Sequence, residues 1–197
     1  MSSPVPERRM DVGQVDLVPL RRRHVRQVMR IEAQVYPRPW SSALFLQEIV
    51  RRSDRIYLAA RYDGTVIGYG GLITSGLEAH ITTIAVDPVY HRQRIGTKLM
   101  LGLVDAAIAR GGRTLSLEVR RSNYAAQSMY ESFGFRPVGL RPGYYAETRE
   151  DAIVMWVDQI DSPEYASMLN RMRNSLGEMP SGTTRPSRSK QESSDER

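Results

Sequence analysis

The segment from Ala79 to Leu103, AHITTIAVDPVYHRQRIGTKLMLGL, has the residue types and order needed to hold a phosphate. An apolar stretch ending at Asp87-Pro88 reads as a strand, Tyr90–Arg94 as a short polar loop, and Ile95-Gly96 as the start of a long amphipathic helix. The first turn of a helix leaves backbone N–H groups unpaired and carries the positive end of the macrodipole, which together form an anion cradle. Arg92 and Arg94 can add charge-assisted hydrogen bonds. An ordinary βα turn with solvated arginines reads the same way. Other chemistries are excluded more firmly. With no Cys there is no disulfide framework, thiolate zinc site or cysteine nucleophile. His24, His80 and His91 lack ligand spacing, so no metal is expected.

The elements that must position this loop follow from periodicity. Val15–Leu20 predicts a strand, and Arg23–Val35 a helix broken by Pro37 and Pro39. Ser41 or Ser42 can cap a second helix running to about Arg51. Strands at Ile56–Arg61 and Val66–Ile73 flank the turn signal Asp63-Gly64, and His80–Val86 is a third. Ile95, Leu99, Leu103, Val104, Ala107 and Ile108 share one helical face, and Gly111-Gly112 ends that helix. Thr114–Val119 is a strand, and Asn123 can cap a helix over Tyr124–Ser132. Pro137–Leu140 and Ala152–Val157 are late strands, and Pro163 opens a last helix. This alternation predicts an α/β protein with a mixed sheet.

The chain has 197 residues, 41% hydrophobic and 25% charged, which predicts one globular domain with some tail left over. The expected division is a flexible segment at 1–11, a domain at 12–161, a C-terminal helix at 162–176 and a disordered polar tail at 177–197. The tail is almost without large apolar groups and cannot offset its ordering entropy. The net charge of +6 raises nucleic acid, anionic membrane and phosphate-bearing small molecules as partners. Residues 162–197 carry a net charge of only +1, so a basic nucleic-acid-binding tail is not supported. Scattered arginines without a stripe of stacking aromatics make direct nucleic-acid binding unexpected. No apolar run approaches the ~20 residues of a membrane span, and the polar start does not read as a secretory signal. The expected location is the cytoplasm.

His91-Arg92-Gln93-Arg94-Ile95-Gly96 resembles the pyrophosphate loop of the GNAT acyl-CoA N-acetyltransferases, Gln/Arg-x-x-Gly-x-Gly/Ala. The last glycine matches, while Arg94 replaces the first and His91 the leading Gln/Arg. If that glycine position needs positive φ, Arg94 costs ~1 kcal/mol or more; if it only permits close approach, Arg94 can point outward while its N–H binds phosphate. Leu117–Phe135, LEVRRSNYAAQSMYESFGF, looks like a later family region, with Glu118, Asn123, Ala126, Tyr130, Gly134 and Phe135 in register. GYYAETREDAIVM (143–155) and YPRPWSSALF (36–45) resemble the ribosomal-protein alanine N-acetyltransferases of the RimI type. Coverage runs from about Val15 to Val157.

The resemblance implies a mixed, mostly antiparallel sheet flanked by helices. It also implies acetyl-CoA as cosubstrate without a metal, and the N-terminal alanine of a small-subunit ribosomal protein as acceptor. An α-ammonium must lose a proton before attacking a thioester, and the leaving thiolate needs one; a carboxylate and a phenol suit those tasks. By residue type alone, Glu118 reads as a surface strand carboxylate and Tyr130 as a core tyrosine with a satisfied hydroxyl. The resemblance instead implies Glu118 as proton acceptor, directly or through water, and Tyr130 as proton donor to sulfur. It assigns cofactor contacts to Ile84, Ala85, Val86, Arg92, Gln93, Arg94, Ile95, Gly96, Thr97 and Asn123. The backbone of Ile84–Val86 would pair with the cofactor as if it were an added strand. Asn123 serves equally as a helix cap. Tyr144 and Tyr145 are candidates for the lip of the acceptor site. Glu32 either faces the incoming amine or is a solvated helix residue, the second being favoured. Trp40 reads as a packing anchor. Competing readings are acetylation of lysines or small amines, and a non-catalytic acyl-CoA-binding or ribosome-associated module. A monomer or weak dimer is expected.

Overall fold

The computed structural model describes residues 10–51 and 53–177. The expected loose segments 1–11 and 177–197 lie outside these residues, apart from Met10, Asp11 and Gly177. The elements are β1 (Asp16–Pro19), α1 (Val25–Val35), α2 (Ser42–Val50), β2 (Arg55–Tyr62), β3 (Thr65–Ser75) and β4 (Glu78–Val86). They continue with α3 (Ile95–Ala109), β5 (Thr114–Arg120), α4 (Tyr124–Ser132), β6 (Arg136–Tyr145), β7 (Glu150–Val157) and α5 (Pro163–Ser175). Among the described residues the strands form one sheet of seven, in the order β1-β2-β3-β4-β5-β7-β6. Every neighbouring pair is antiparallel except β4 and β5. That parallel pair needs a crossover, and α3 supplies it. The α/β mixed sheet read from the sequence is the fold observed.

Local chemistry explains the boundaries. The Ser41 hydroxyl accepts from the N–H of Leu44 (3.2 Å) and starts α2. Gly111, at φ 82°, takes the left-handed turn that ends α3. On one face of the sheet Val28, Ile31 and Phe45 from α1 and α2 pack on Tyr57 and Tyr69. On the other, Met100, Leu103 and Val104 of α3 pack with Leu115, Leu117, Tyr130, Phe133, Tyr165 and Leu169. The last strand pair departs from expectation: β6 runs on to Tyr145 through two irregularities of register. Beyond the expected Pro137–Leu140, Pro142 and Gly143 are residue types that favour turns, but an edge strand tolerates them because one side of its backbone needs no partner.

The feature that makes the site is a bulge. In the β3–β4 pairing Leu72 faces Ile81 while Gly71 faces Thr83, so Thr82 is the extra residue. Its hydroxyl donates to the Gly71 carbonyl (3.2 Å). The β4–β5 ladder pairs Glu78–Ile81 with Thr114–Leu117 and ends there, although both strands continue. The bulge bends β4 at the point where β5 leaves it, and the strands open into a cleft.

Candidate active site

Thr82 to Val86 form one wall of the cleft and Glu118 to Arg120 the other. Side chains on β5 alternate, so Leu117 and Val119 enter the core shared with α3 and α4 while Glu118 projects from the opposite face. The Glu118 carboxylate is 9% exposed and held at both oxygens: His80 Nε2 lies 3.0 Å from Oε2 and Arg141 Nη1 3.2 Å from Oε1. It is therefore not the solvated strand carboxylate that residue type alone favoured.

Tyr130 of α4 lies on the other face, among Leu117, Val119, Phe133 and Phe135. Burial, reinforced by the nearby Tyr36 and Tyr145 phenols, pushes its pKa well above that of a free tyrosine. Its hydroxyl makes no hydrogen bond among the described residues. The expectation of a core tyrosine with a satisfied hydroxyl is thus half right: the ring is core and the hydroxyl is unpaired.

Arg94 is the N-cap of α3 at φ 62°, ψ 15°. The position where the family pattern has glycine does adopt the left-handed conformation, so the replacement carries the backbone cost expected of a non-glycine residue. The first intrahelical bond runs from Lys98 N to Arg94 O (3.0 Å), so the N–H groups of Ile95, Gly96 and Thr97 occupy the unpaired first turn. A Cβ on Gly96 would meet Met129 Sδ at 3.3 Å, so the missing side chain lets this turn lie close to α4. The Arg94 side chain turns away: its guanidinium donates to Ser175 O (2.6 Å) and Ser175 Oγ (2.8 Å) at the end of α5. In this arrangement the guanidinium is held by neutral acceptors of α5, and the loop is left its backbone N–H groups to offer an anion. Arg92 also has positive φ, 58°. The Gln93 side chain accepts from Met10 N (3.1 Å), which places Met10 beside the loop. His91 Nε2 lies 2.9 Å from Val86 O and joins the loop to the end of β4.

Asn123 caps α4, accepting from Ala126 N (3.1 Å). Tyr144 and Tyr145 stack edge to face, 5.1 Å apart. Arg120 sits 3.9 Å above the Tyr145 ring and binds Thr148 Oγ1 (2.7 Å), Glu150 Oε2 (3.3 Å) and Glu147. This cluster ties the β6–β7 turn to β5. Burial raises the Tyr145 pKa to about 12, with Arg120 opposing.

Glu32 is corrected most sharply. It is 2% exposed, not solvated. It accepts from Trp40 N (2.8 Å) and from the Tyr69 hydroxyl. The Trp40 ring packs on Phe45, 5.2 Å between centroids, which draws the α1–α2 connection down over the carboxylate. Burial lifts the Glu32 pKa to about 6, against the lowering effect of the Trp40 N–H.

Four residues of this neighbourhood were not singled out as site residues from sequence: Tyr36, His80, Arg120 and Arg141. The Tyr36 hydroxyl donates to Ile84 O (3.0 Å) and lies 3.2 Å from Thr83 Oγ1, fastening the end of α1 to the cleft wall. Tyr36, His80 and Arg120 lie within segments that stood out in the sequence and Arg141 just before one, but nothing in their spacing pairs them with Glu118. Among the described residues no group of acidic, His or Cys side chains is arranged to hold a metal ion, and no helix is long and apolar enough to cross a membrane.

A βαβ crossover whose strands part over a helix N-terminus, with a buried carboxylate and a phenol on either side, defines a class. Residues 25–135 match the acetyltransferase (GNAT) family, and the chain belongs to it. The N-alpha-acetyltransferase RimI of Mycobacterium tuberculosis is 38% identical over 157 residues, covering 77% of this chain and 97% of the relative. The ribosomal protein bS18-alanine N-acetyltransferase of Escherichia coli K12 is 39% identical over 127 residues, covering 64% and 84%. The crystal structure of the Escherichia coli ribosomal-protein-S18-alanine N-acetyltransferase superposes with a TM-score of 0.68 at 33% identity, covering 74% of this chain and 94% of that one. The fold is shared with Arabidopsis thaliana NAA60 in complex with acetyl-CoA (TM-score 0.66, 20% identity, 75% and 99% covered).

Proposed function

We propose that this chain transfers the acetyl group of acetyl-CoA to the α-amino group of an N-terminal alanine on a small-subunit ribosomal protein, in one direct step. The observation that carries this reading is the enclosed Glu118 carboxylate on β5 where the strands part, with Tyr130 of α4 kept protonated by burial on the other face of the sheet. The likeness to the Escherichia coli enzyme named for ribosomal protein bS18 supports the choice of acceptor.

The residues present fit acetyl-CoA. Ile95, Gly96 and Thr97 offer amide N–H groups for the pyrophosphate, and the parted β4 backbone at Ile84–Val86 offers a strand edge for the pantetheine. When bound, acetyl-CoA supplies an activated acyl group on a thiolate leaving group. Glu118 then takes the proton of the α-ammonium and frees the nitrogen lone pair. The nitrogen–carbon bond forms and the carbon–sulfur bond breaks. Tyr130 gives its proton to the departing sulfur and is restored by the second proton the nitrogen sheds. The net yield is one proton released per acetyl transferred. Tyr144 and Tyr145 with the Arg120 cluster form the acceptor lip, and Glu32 shapes it by holding the Trp40 backbone. The reaction takes place in the cytoplasm, with the enzyme a monomer or weak dimer.

Mass spectrometry after incubation with acetyl-CoA tests the reading, using Ala-, Ser- and Met-first peptides and α-blocked peptides carrying lysine. The expected product is an α-acetylated Ala-first peptide, abolished to about 1% or less in E118Q. Equal acetylation of the α-blocked lysine peptides moves the activity to lysines. Acetyl-CoA binding without turnover of any amine leaves a non-catalytic module.

A further inference from the structure

Glu118 is nearly enclosed, yet under the proposed reaction it must return one proton to water in every cycle. Its two partners differ in what they can do with that proton. Arg141 is a permanent cation with five donors and no acceptor, so it can orient the carboxylate but cannot take its proton. His80 can do both. Its Nε2 stands 3.0 Å from Glu118 Oε2 and its Nδ1 2.9 Å from Ser116 Oγ.

The sheet produces this arrangement. The parallel register places His80 opposite Ser116, and Glu118 lies two residues beyond Ser116 on the same face of β5. These are the last rungs before the strands part, so the imidazole spans the root of the cleft. The exposures form a gradient, 9% for the Glu118 side chain and 37% for that of His80. Ser116 holds the far nitrogen and so sets the plane of the ring. The other ionisable neighbours of Glu118 are Arg141 and Tyr145 from β6, and neither is a group that both takes a proton from the carboxylate and passes it to solvent.

We infer that His80 is a proton-relay residue, acting through Glu118 rather than on the substrate. The O–H bond on protonated Glu118 breaks as an N–H bond forms at His80 Nε2, and the imidazolium surrenders one proton to water. This accounts for the one proton released per turnover and returns Glu118 as carboxylate for the next amine. No other reactant is required.

The inference rests on the proposed acetyl transfer, and the experiment separates the two. Wild type, H80A and H80Q are assayed with acetyl-CoA and an Ala-first peptide, with acetyl-CoA affinity measured by calorimetry. Thermal unfolding serves as a control for folding. H80A is expected to lose kcat by roughly ten- to a hundredfold, with acetyl-CoA affinity and peptide KM within about twofold of wild type. Imidazole at tens of millimolar should restore several-fold of the H80A rate and leave wild type unchanged. H80Q should stay slow, because glutamine keeps a hydrogen bond to Glu118 but cannot carry the proton. Wild-type kcat in either variant, or no rescue of H80A by imidazole, overturns the relay while acetylation by wild type stands. No acetylation by wild type overturns both.

Discussion

Tyr130 keeps its proton because burial disfavours the phenolate, which suits the proposed role of donor to a departing thiolate. Its hydroxyl has no protein partner among the described residues, so Y130F should unfold within about 1 kcal/mol of wild type. Its kcat should fall by at least tenfold. A stability loss of several kcal/mol in denaturant would instead mark a hidden structural bond. Glu32 carries the opposite kind of signal. Its pKa is raised from 4.5 to about 6, so the folded state binds the proton more tightly than the unfolded state. Stability from this group is full below pH 4.5, declines as pH rises towards 6, and is flat above. The stability difference between wild type and E32Q, followed by urea unfolding, should therefore shift against wild type by about 2 kcal/mol between pH 4 and pH 7. A difference that does not vary with pH would contradict burial as the cause.

Among the elements, the loop before α3 is where sequence and conformation disagree most. Arg94 accepts a left-handed backbone that glycine would take without strain, and its side chain compensates by binding Ser175 of α5. The two effects separate by substitution. R94A keeps the backbone strain and loses both hydrogen bonds; R94G loses the bonds and the strain together. R94G should therefore be more stable than R94A by about 1 kcal/mol in chemical denaturation. Equal stabilities would mean the loop relaxes once the side chain is gone. The β4 bulge acts at the same scale: one extra residue, Thr82, ends the ladder at Ile81 and opens the cleft.

Across the whole molecule, α5 is part of the domain rather than an appendage to it. Tyr165 and Leu169 are buried in the core that contains Tyr130, and the Tyr165 hydroxyl donates to Phe133 O (2.9 Å) at the end of α4. The same helix holds Arg94 through Ser175 and Asp105 of α3 through Arg173. L169A should cost about 2–5 kcal/mol in global stability and unfold in one transition with the rest. A separate early transition, seen as loss of helix signal before loss of tertiary signal, would show α5 to be an independent unit.

Much of this molecule was legible in the chain. Periodicity located the strands and helices, since apolar spacing near 3.6 or 2 follows from the helix and strand geometry itself. Glu118, Asn123 and Tyr130 stood out because their segment carries a dense motif over a few residues. The rest depended on contacts between distant positions. His80 and Arg141 looked like ordinary strand residues until the β4–β5 register and the β6 edge brought them to one carboxylate. Glu32 read as solvated because a helix pattern shows a charged residue but not the loop that will fold over it. The sequence by itself determined the elements, the polar loop that opens α3 and the carboxylate and phenol of the proposed reaction. Only the tertiary structure decided which groups surround them, because pairing register, a single bulge and burial are properties of the packed sheet and not of any local run of residues.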